Sequence, residues 1–325
     1  MLSGIQPTGK LHIGNYLGAL RNWVRDQDEF ENFFCIVDLH ALTVLPDADA
    51  LRGNTLDVAA LYLATGLDPA KCEIFVQSHV SAHAQLGWIM ECFTPMGWLE
   101  RMTQFKARSQ AQGRERIGTG VFTYPALMAA DILLYDADFV PVGDDQRQHL
   151  EFSRDLAQRL NSLHGDVVTV PQPLIRDVGA RIMGFDDPLI KMSKSVAVDR
   201  PAHAVFMLDP PDVIRRKIAR AQTDAVPEVR EPVGAGVANL LDIYAALQGS
   251  DRVSGLDEFT GKSYSVLKQA VAEALIAALE PVQKRFVEIR ADEASLRGVL
   301  TASAERVSAI ADATLLRVQR AVGLR

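Results

Sequence analysis

Apolar residues fall into two regimes along this chain. In the first half, short apolar runs of strand length alternate with stretches of helical period; beyond Asp199 only the helical period remains. A short extended segment, Leu2 to Gln6, enters a turn at Pro7-Thr8-Gly9. Leu11 to Asn15 then opens a helix whose apolar face continues as Leu17, Leu20 and Val24. Phe33 to Asp38 is a continuous apolar run, as expected of a parallel strand buried on both faces. A helix follows over about Asp47 to Thr65, closed by Gly66 and Pro69. Glu73 to Gln77 reads as a third strand and Ala82 to Glu91 as a helix. Thr123 to Tyr135 is another helix, Phe139 to Gly143 a strand, and a helix beginning at Asp144-Asp145-Gln146 continues through Leu150, Leu156 and Leu160.

This alternation predicts an α/β fold: a Rossmann-type parallel sheet with helices on both faces and a ligand at the carboxyl ends of its strands. The rhythm breaks between Pro95 and Gly120, where Trp98 to Lys106 reads as a helix and Arg108 to Gly120 as a polar, basic loop. The segments Asp212 to Gln222, Val237 to Leu247, Tyr264 to Arg290 and Leu296 to Val322 are all helical by period and alanine content. The expected organisation is a catalytic domain over 1–184 with an insertion at about 95–120, a link over 185–200, and a separate helical domain over 201–325.

Composition narrows this only modestly. At 325 residues the chain is long enough for two lobes, and 48% hydrophobic with 23% charged residues is ordinary for a globular protein. No apolar run reaches the length of a membrane span, and MLSGIQPTG lacks the basic and apolar regions of a signal peptide. Cys35, Cys72 and Cys92 stand far apart, in neither a disulfide framework nor a metal-binding spacing, so the reading is a cytoplasmic protein with no resident metal. A net charge of −7 argues against indiscriminate nucleic-acid binding, DNA included, but leaves room for local basic patches. Two such runs are Arg101, Lys106, Arg108, Arg114 and Arg116, and Arg215, Arg216, Lys217 and Arg220; each is equally a solvated helix face.

Candidate chemistry is concentrated in two places. Ser3 to Asn15 joins a strand, a glycine-bearing turn and a helix start, the arrangement that offers free N–H groups and a positive helix end to a phosphate. Gly14 leaves room for a nucleotide against the helix, and His12 is a donor at that end. An ordinary βα turn would look the same. The second place is Lys191-Met192-Ser193-Lys194-Ser195, which brings two ammonium groups and two hydroxyls to a triphosphate. With the first stretch beside it, the chain strongly resembles the class I aminoacyl-tRNA synthetases, whose nucleotide signatures are HIGH and KMSKS. The second is matched letter for letter. The first appears as His12-Ile13-Gly14-Asn15, departing at its fourth position toward the tryptophanyl branch, as do the flanking Ser3 to Gly9 and Tyr16 to Leu20.

That resemblance implies ATP-dependent activation of L-tryptophan and its transfer to tRNA(Trp), with Mg²⁺ accompanying ATP, in a homodimer built partly on the insertion. It implies phosphate stabilisation by His12, Asn15, Lys191 and Lys194. An ATP site would take in Gln6, Thr8, Gly9, Gly14, Gly143, Asp145, Ile182, Met192, Ser193 and Ser195. Asp131 is a carboxylate on an apolar helix face, with Leu127, Met128, Leu134 and Tyr135 as neighbours, and calls for either an internal partner or a function. By resemblance it accepts the indole N–H of tryptophan. Gln146 and Tyr124 would hold the amino group; Met128, Val140 and Val142 would line the slot, and His40 would reach the substrate. Asp144 reads as a helix cap. Closure of the KMSKS loop and helical lobe over ATP is also implied. A tyrosine-specific relative, or a non-charging adenylate-forming paralogue, are the alternatives. The run Gly234 to Asn239 lacks the third glycine and preceding strand of a dinucleotide site and is discounted.

Overall fold

The computed structural model describes residues 1–325 other than 142, 144–146 and 175–180. Strands β1 (Leu2–Ile5), β2 (Asn32–Ile36) and β3 (Cys72–Val76) form a parallel sheet in that order, with Leu2 opposite Phe33 and Phe34 opposite Ile74. A second parallel pair, β4 (Phe139–Pro141) with β5 (Gln172–Leu174), lies with β4 beside β1. β5 breaks the hydrophobic pattern with Pro173, which hides it from a period-based reading. The order in which strands are added thus reverses at β1, and the crevice at such a reversal is where open α/β sheets bind ligands.

The first helix is not uniform: α1 (Ile13–Asn15) passes through a π-helical stretch, Tyr16–Leu20, into α2 (Arg21–Asp26). A short α3 (Asp38–Ala41) leaves the end of β2. Helix α4 (Ala48–Thr65) starts where Asp47 accepts the N–H groups of Asp49 and Ala50 at 3.0 and 2.9 Å. It stops at Gly66, whose φ of +111° suits a residue without Cβ. α5 (Ala82–Phe93) follows β3.

Side chains of the buried strands alternate between two cores. Phe34, Ile36, Ile74 and Val76 pack with Leu17, Leu20 and Tyr62 on one face. Phe33, Cys35 and Phe75 pack on the other with Leu86 and Met90 of α5 and with Ala130 and Leu133 of α8 (Thr119–Leu133).

The insertion differs from expectation. Two helices replace the one foreseen, α6 (Met96–Glu100) and α7 (Thr103–Gln112), and α8 begins at Thr119, which shortens the connecting loop to 113–118. The break falls at Met102, which is extended (φ −62°, ψ 128°). It is fixed from a distance: Gln148 of α9 (Arg147–His164) accepts from the N–H and hydroxyl of Thr103 at 3.1 and 3.0 Å. No local sequence signal carries a cap supplied 45 residues away.

The helical lobe contains α11 (Pro211–Ala219), α12 (Ala235–Gln248), α13 (Arg252–Phe259) and α14 (Tyr264–Ala291), after a short α10 (Lys194–Asp199). It is less separate than the period suggests. Ile182, Phe185, Met192, Val205 and Met207 make one continuous core from the sheet face into α11, α12 and α14. α14 spans both regions. Its first half bonds α11, where Arg215 pairs with Glu273 at 2.6 Å; its last turn bonds α4, where Arg290 meets Asp57 at 2.8 Å; Pro281 lies between. The last helix, α15 (Glu293–Ala321), returns to the opposite face of the sheet beside β3 and α5, burying Ala304, Val307 and Ala311. There Ser303 and Arg306 both donate to Glu73 of β3, at 2.6 and 2.7 Å. Of the second basic run, Arg215 and Lys217 are committed to Glu273 and Asp209, and Arg216 stands 3.7 Å from Asp212. Among the described residues no helix is long and apolar enough to cross a membrane.

Candidate active site

Two side-chain clusters stand at the carboxyl edge of the sheet. The first joins the two signature stretches. His12 is extended (φ −109°, ψ 169°) at the N-cap of α1, and its N–H donates to Asn15 Oδ1 at 3.1 Å, one half of a capping box. Its imidazole folds over the helix start, so a Cβ at residue 14 would come within 2.9 Å of Cε1 and Nδ1. Gly14 therefore makes room first for His12 itself. The ring is 7% exposed, and its Nδ1 is buried without a hydrogen-bond partner. Burial, and then the nearby Lys194, Lys191 and His203, lower its pKa to about 3, so the ring is neutral at physiological pH.

Lys194 reaches across to the first stretch, donating to the carbonyl oxygens of Gln6 at 3.2 Å and Gly9 at 3.3 Å. Gly9, with φ of +96°, turns its carbonyl toward that ammonium. Burial lowers the Lys194 pKa to about 8. Ser193 caps α10, accepting the N–H of Val196 at 3.4 Å, which points the N-terminal turn of that helix into the same space. Lys191 and Ser195 are exposed. Beneath them Met192 donates its N–H to the Ile182 carbonyl at 3.0 Å, and both side chains are buried. Ile182 lies against Gly14.

The second cluster surrounds Asp131, 3% exposed on α8. His40 Nε2 donates to Oδ2 at 2.8 Å; Gln77 Nε2 and His83 Nδ1 donate to Oδ1 at 2.8 and 2.6 Å. With His83 Nδ1 protonated, its Nε2 accepts from Tyr135 at 2.8 Å. Burial pushes the carboxyl pKa up, but the hydrogen bonds from His40 and His83 outweigh it and hold the group at about 2. The internal partners that a buried carboxylate demands are therefore present. A carboxylate offers about four acceptor positions, so three donors leave one, on Oδ2. Tyr124 stands edge-on to His40 with ring centroids 6.1 Å apart, and its hydroxyl donates to Gln104 at 3.0 Å while receiving His149. Burial raises the Tyr124 phenol well above its usual value.

Comparison with known proteins agrees with this geometry. The family model described as tRNA synthetases class I (W and Y) matches residues 1–280. A tryptophan–tRNA ligase of Wolinella succinogenes is 49% identical over 325 residues, covering 100% of this chain and 98% of its own. One from Thermosynechococcus vestitus is 49% identical over 329 residues, covering 99% of each. The chain belongs to the tryptophanyl branch of the class I tRNA synthetases. Among solved structures, tryptophanyl-tRNA synthetase from Mycoplasma pneumoniae matches with a TM-score of 0.92 at 37% identity, covering 100% of this chain and 97% of that one. The Campylobacter jejuni enzyme complexed with ADP and tryptophan matches at 0.82 and 32% identity, covering 99% of each chain.

Of the residues that the sequence nominates in this synthetase, Gln6, Gly9, His12, Gly14, Asn15, Ile182, Met192, Ser193 and Lys194 come together in the first cluster. Thr8 lies half-buried in the same turn. His40, Tyr124 and Asp131 come together in the second, with Met128 half-buried on α8 and Val140 buried in β4. Gly143 is exposed beyond β4. Val142, Asp145 and Gln146 lie outside the described residues, as does Asp144. Sequence reasoning missed Gln77 and His83 around Asp131, the bond of Tyr135 to His83, His149 beside Tyr124, and Asn239. The one available signal was polarity in an apolar setting: His83 falls among Leu86, Ile89 and Met90 on α5. Asn239 belongs to the discounted glycine run. It is buried and donates to the carbonyl of Met183 at 3.1 Å while accepting that residue's N–H at 2.8 Å.

Proposed function

We propose that this protein activates L-tryptophan with ATP and transfers it to tRNA(Trp). The observation that supports the reading is the seating of Lys194 on the turn of the first signature, its ammonium on the carbonyls of Gln6 and Gly9. In the first step the tryptophan carboxylate attacks the α-phosphate of ATP, giving tryptophanyl-adenylate and pyrophosphate. His12, Asn15, Lys191 and Lys194 stabilise charge on the phosphates, and no side chain serves as nucleophile. Neutral His12 donates one N–H there, while Asn15 keeps its Nδ2 for the ligand because Oδ1 is engaged by the backbone. In the second step a terminal ribose hydroxyl of the tRNA attacks the adenylate.

Asp131 is the acceptor for the indole N–H, through the one position on Oδ2 that its internal donors leave. Tyr124 and Gln146 hold the amino group; Met128, Val140 and Val142 line the slot, and His40 stands at its edge. Asp145, Gly143, Thr8 and Ser195 complete the nucleotide site. Mg²⁺ enters as part of the MgATP substrate; among the described residues no group of three His, Cys, Asp or Glu side chains forms a metal site. The helical region over 201–325 reads the anticodon. The protein works as a cytoplasmic homodimer, with exposed Trp88 (67%) and Met96 (62%) at the dimer contact.

Tryptophan-dependent exchange of pyrophosphate into ATP, run with tyrosine in parallel and followed by tRNA charging, tests the reading. Exchange with tryptophan alone supports it. Exchange with tyrosine, or adenylation without charging, overturns it.

A further inference from the structure

We propose that His203 is a positioning residue for adenylate formation: paired with Asp186, it holds the carbonyl of Lys191 and so fixes the second nucleotide signature against the first. This rests on the reading above, in which Lys191 and Lys194 act on the phosphates. His203 lies beyond the signature loop, is fully buried, and makes no contact assigned to any substrate. Its Nδ1 stands 2.7 Å from Asp186 Oδ1 and its Nε2 stands 3.2 Å from the carbonyl oxygen of Lys191. Both partners are acceptors. One ring nitrogen thus faces the carboxylate and the other the carbonyl of the loop.

The carboxylate is itself held in place: Asp186 takes Arg200 Nε on its other oxygen at 2.7 Å, and Arg200 also stands 3.8 Å from Asp187. Lys191 lies on the solvent side and His12 on the sheet side. Nothing larger than glycine fits at 184, where a Cβ would fall 2.1 Å from the His203 Cε1 and 2.2 Å from its Nδ1.

What makes this a device for catalysis, beyond local packing, is where the following residues go. The Val205 carbonyl accepts the N–H of Ile13 at 3.0 Å, and Met207 donates to the Leu11 carbonyl at 2.8 Å. The stretch 203–207 thus grips the KMSKS loop by a side chain and the helix start of the first signature by its backbone. Release of the ring frees Lys191 relative to His12 without touching the tryptophan cluster.

The test is pyrophosphate exchange and melting temperature for His203→Gln, Asp186→Asn and Gly184→Ala, with Lys194→Ala as control. The expected result is a rise in KM for ATP, or a fall in kcat, on the order of tenfold to a hundredfold. KM for tryptophan should stay within about twofold in the same variants, because the misplaced groups serve only the nucleotide. Asp186→Asn retains the side-chain volume and keeps the test open if His203→Gln fails to fold. Wild-type ATP kinetics in a folded His203→Gln or Asp186→Asn, beside an impaired Lys194→Ala, overturns the inference. So does an equal rise in KM for both substrates. Wild-type exchange in Lys194→Ala instead overturns the underlying reading of the loop.

Discussion

Asn239 and Met183 exchange two hydrogen bonds, the amide of one clamping both backbone groups of the other 56 residues earlier in the chain. Met183 is bridged in turn to Lys191, so a helix of the C-terminal lobe sets the base of the KMSKS loop. Replacing Asn239 by Ala leaves a part-buried N–H and carbonyl without that partner, a cost of about 1 kcal/mol. Urea unfolding should register that loss, and KM for ATP should rise while KM for tryptophan holds. An unchanged KM for ATP in the folded variant would assign Asn239 to the lobe alone.

Asp131 carries a heavier structural load than a substrate contact requires. Asp131→Ala leaves the donors of His40, Gln77 and His83 unpaired, and losing one member of a buried charged network costs about 3–5 kcal/mol. The variant should therefore lose both stability and tryptophan-dependent exchange. Specificity separates the two effects. Wild-type enzyme should reject a sulfur analogue lacking the indole N–H by roughly 10⁴-fold, a ratio that collapses in Asp131→Asn. Persistence of that ratio in the folded Asn variant would remove Asp131 from substrate recognition.

His12 should not titrate in the physiological range. Its pKa is lowered from 6.5 to about 3, so on acidification the unfolded chain takes up a proton before the folded one does. The stabilisation from the neutral ring is complete above pH 6.5 and is lost as pH falls toward 3. Ring-proton NMR shifts for His12, assigned with His12→Asn, should stay flat from pH 8 to pH 5. A midpoint near 6.5 would contradict the buried, neutral ring.

Lys194, lowered to about 8, predicts an alkaline limb instead. In the free enzyme its ammonium is present below that pH and lost above it. The profile of kcat/KM for ATP, which reports free-enzyme groups, should fall as pH rises past about 8. Arginine stays charged throughout, so Lys194→Arg should lower the plateau and abolish the limb. A limb unmoved in Lys194→Arg belongs to another group.

The two signature stretches were legible because each is short and local. His12 to Asn15 and Lys191 to Ser195 each carry their chemistry within five residues, and the β1–α1 turn follows from Gly9 and the apolar run behind it. The parallel strands were legible for a related reason: β2 is buried on both faces, and Phe33 to Ile36 has no polar interruption. What escaped was whatever depends on distant partners. The Gln148 cap that splits α6 from α7, the Asn239 clamp and the three donors on Asp131 all join residues more than 40 positions apart. Gly14 shows a subtler gap, since the missing Cβ was foreseen and its occupant, the His12 ring, was not. The return of α15 to the sheet was hidden as well, because an amphipathic period states that a helix has a partner without naming it.

That return has a mechanical consequence. The helical region is tied to the sheet region through the stretch 203–207 and along α14, with α15 anchoring the far end through Glu73 and Arg306. Pro281 lies midway along α14 between the Glu273 and Arg290 attachments, where its missing N–H leaves the helix one bond short. A bend there would turn the half bonded to α11 against the half bonded to α4, so α14 is a strut with one built-in joint between the two regions.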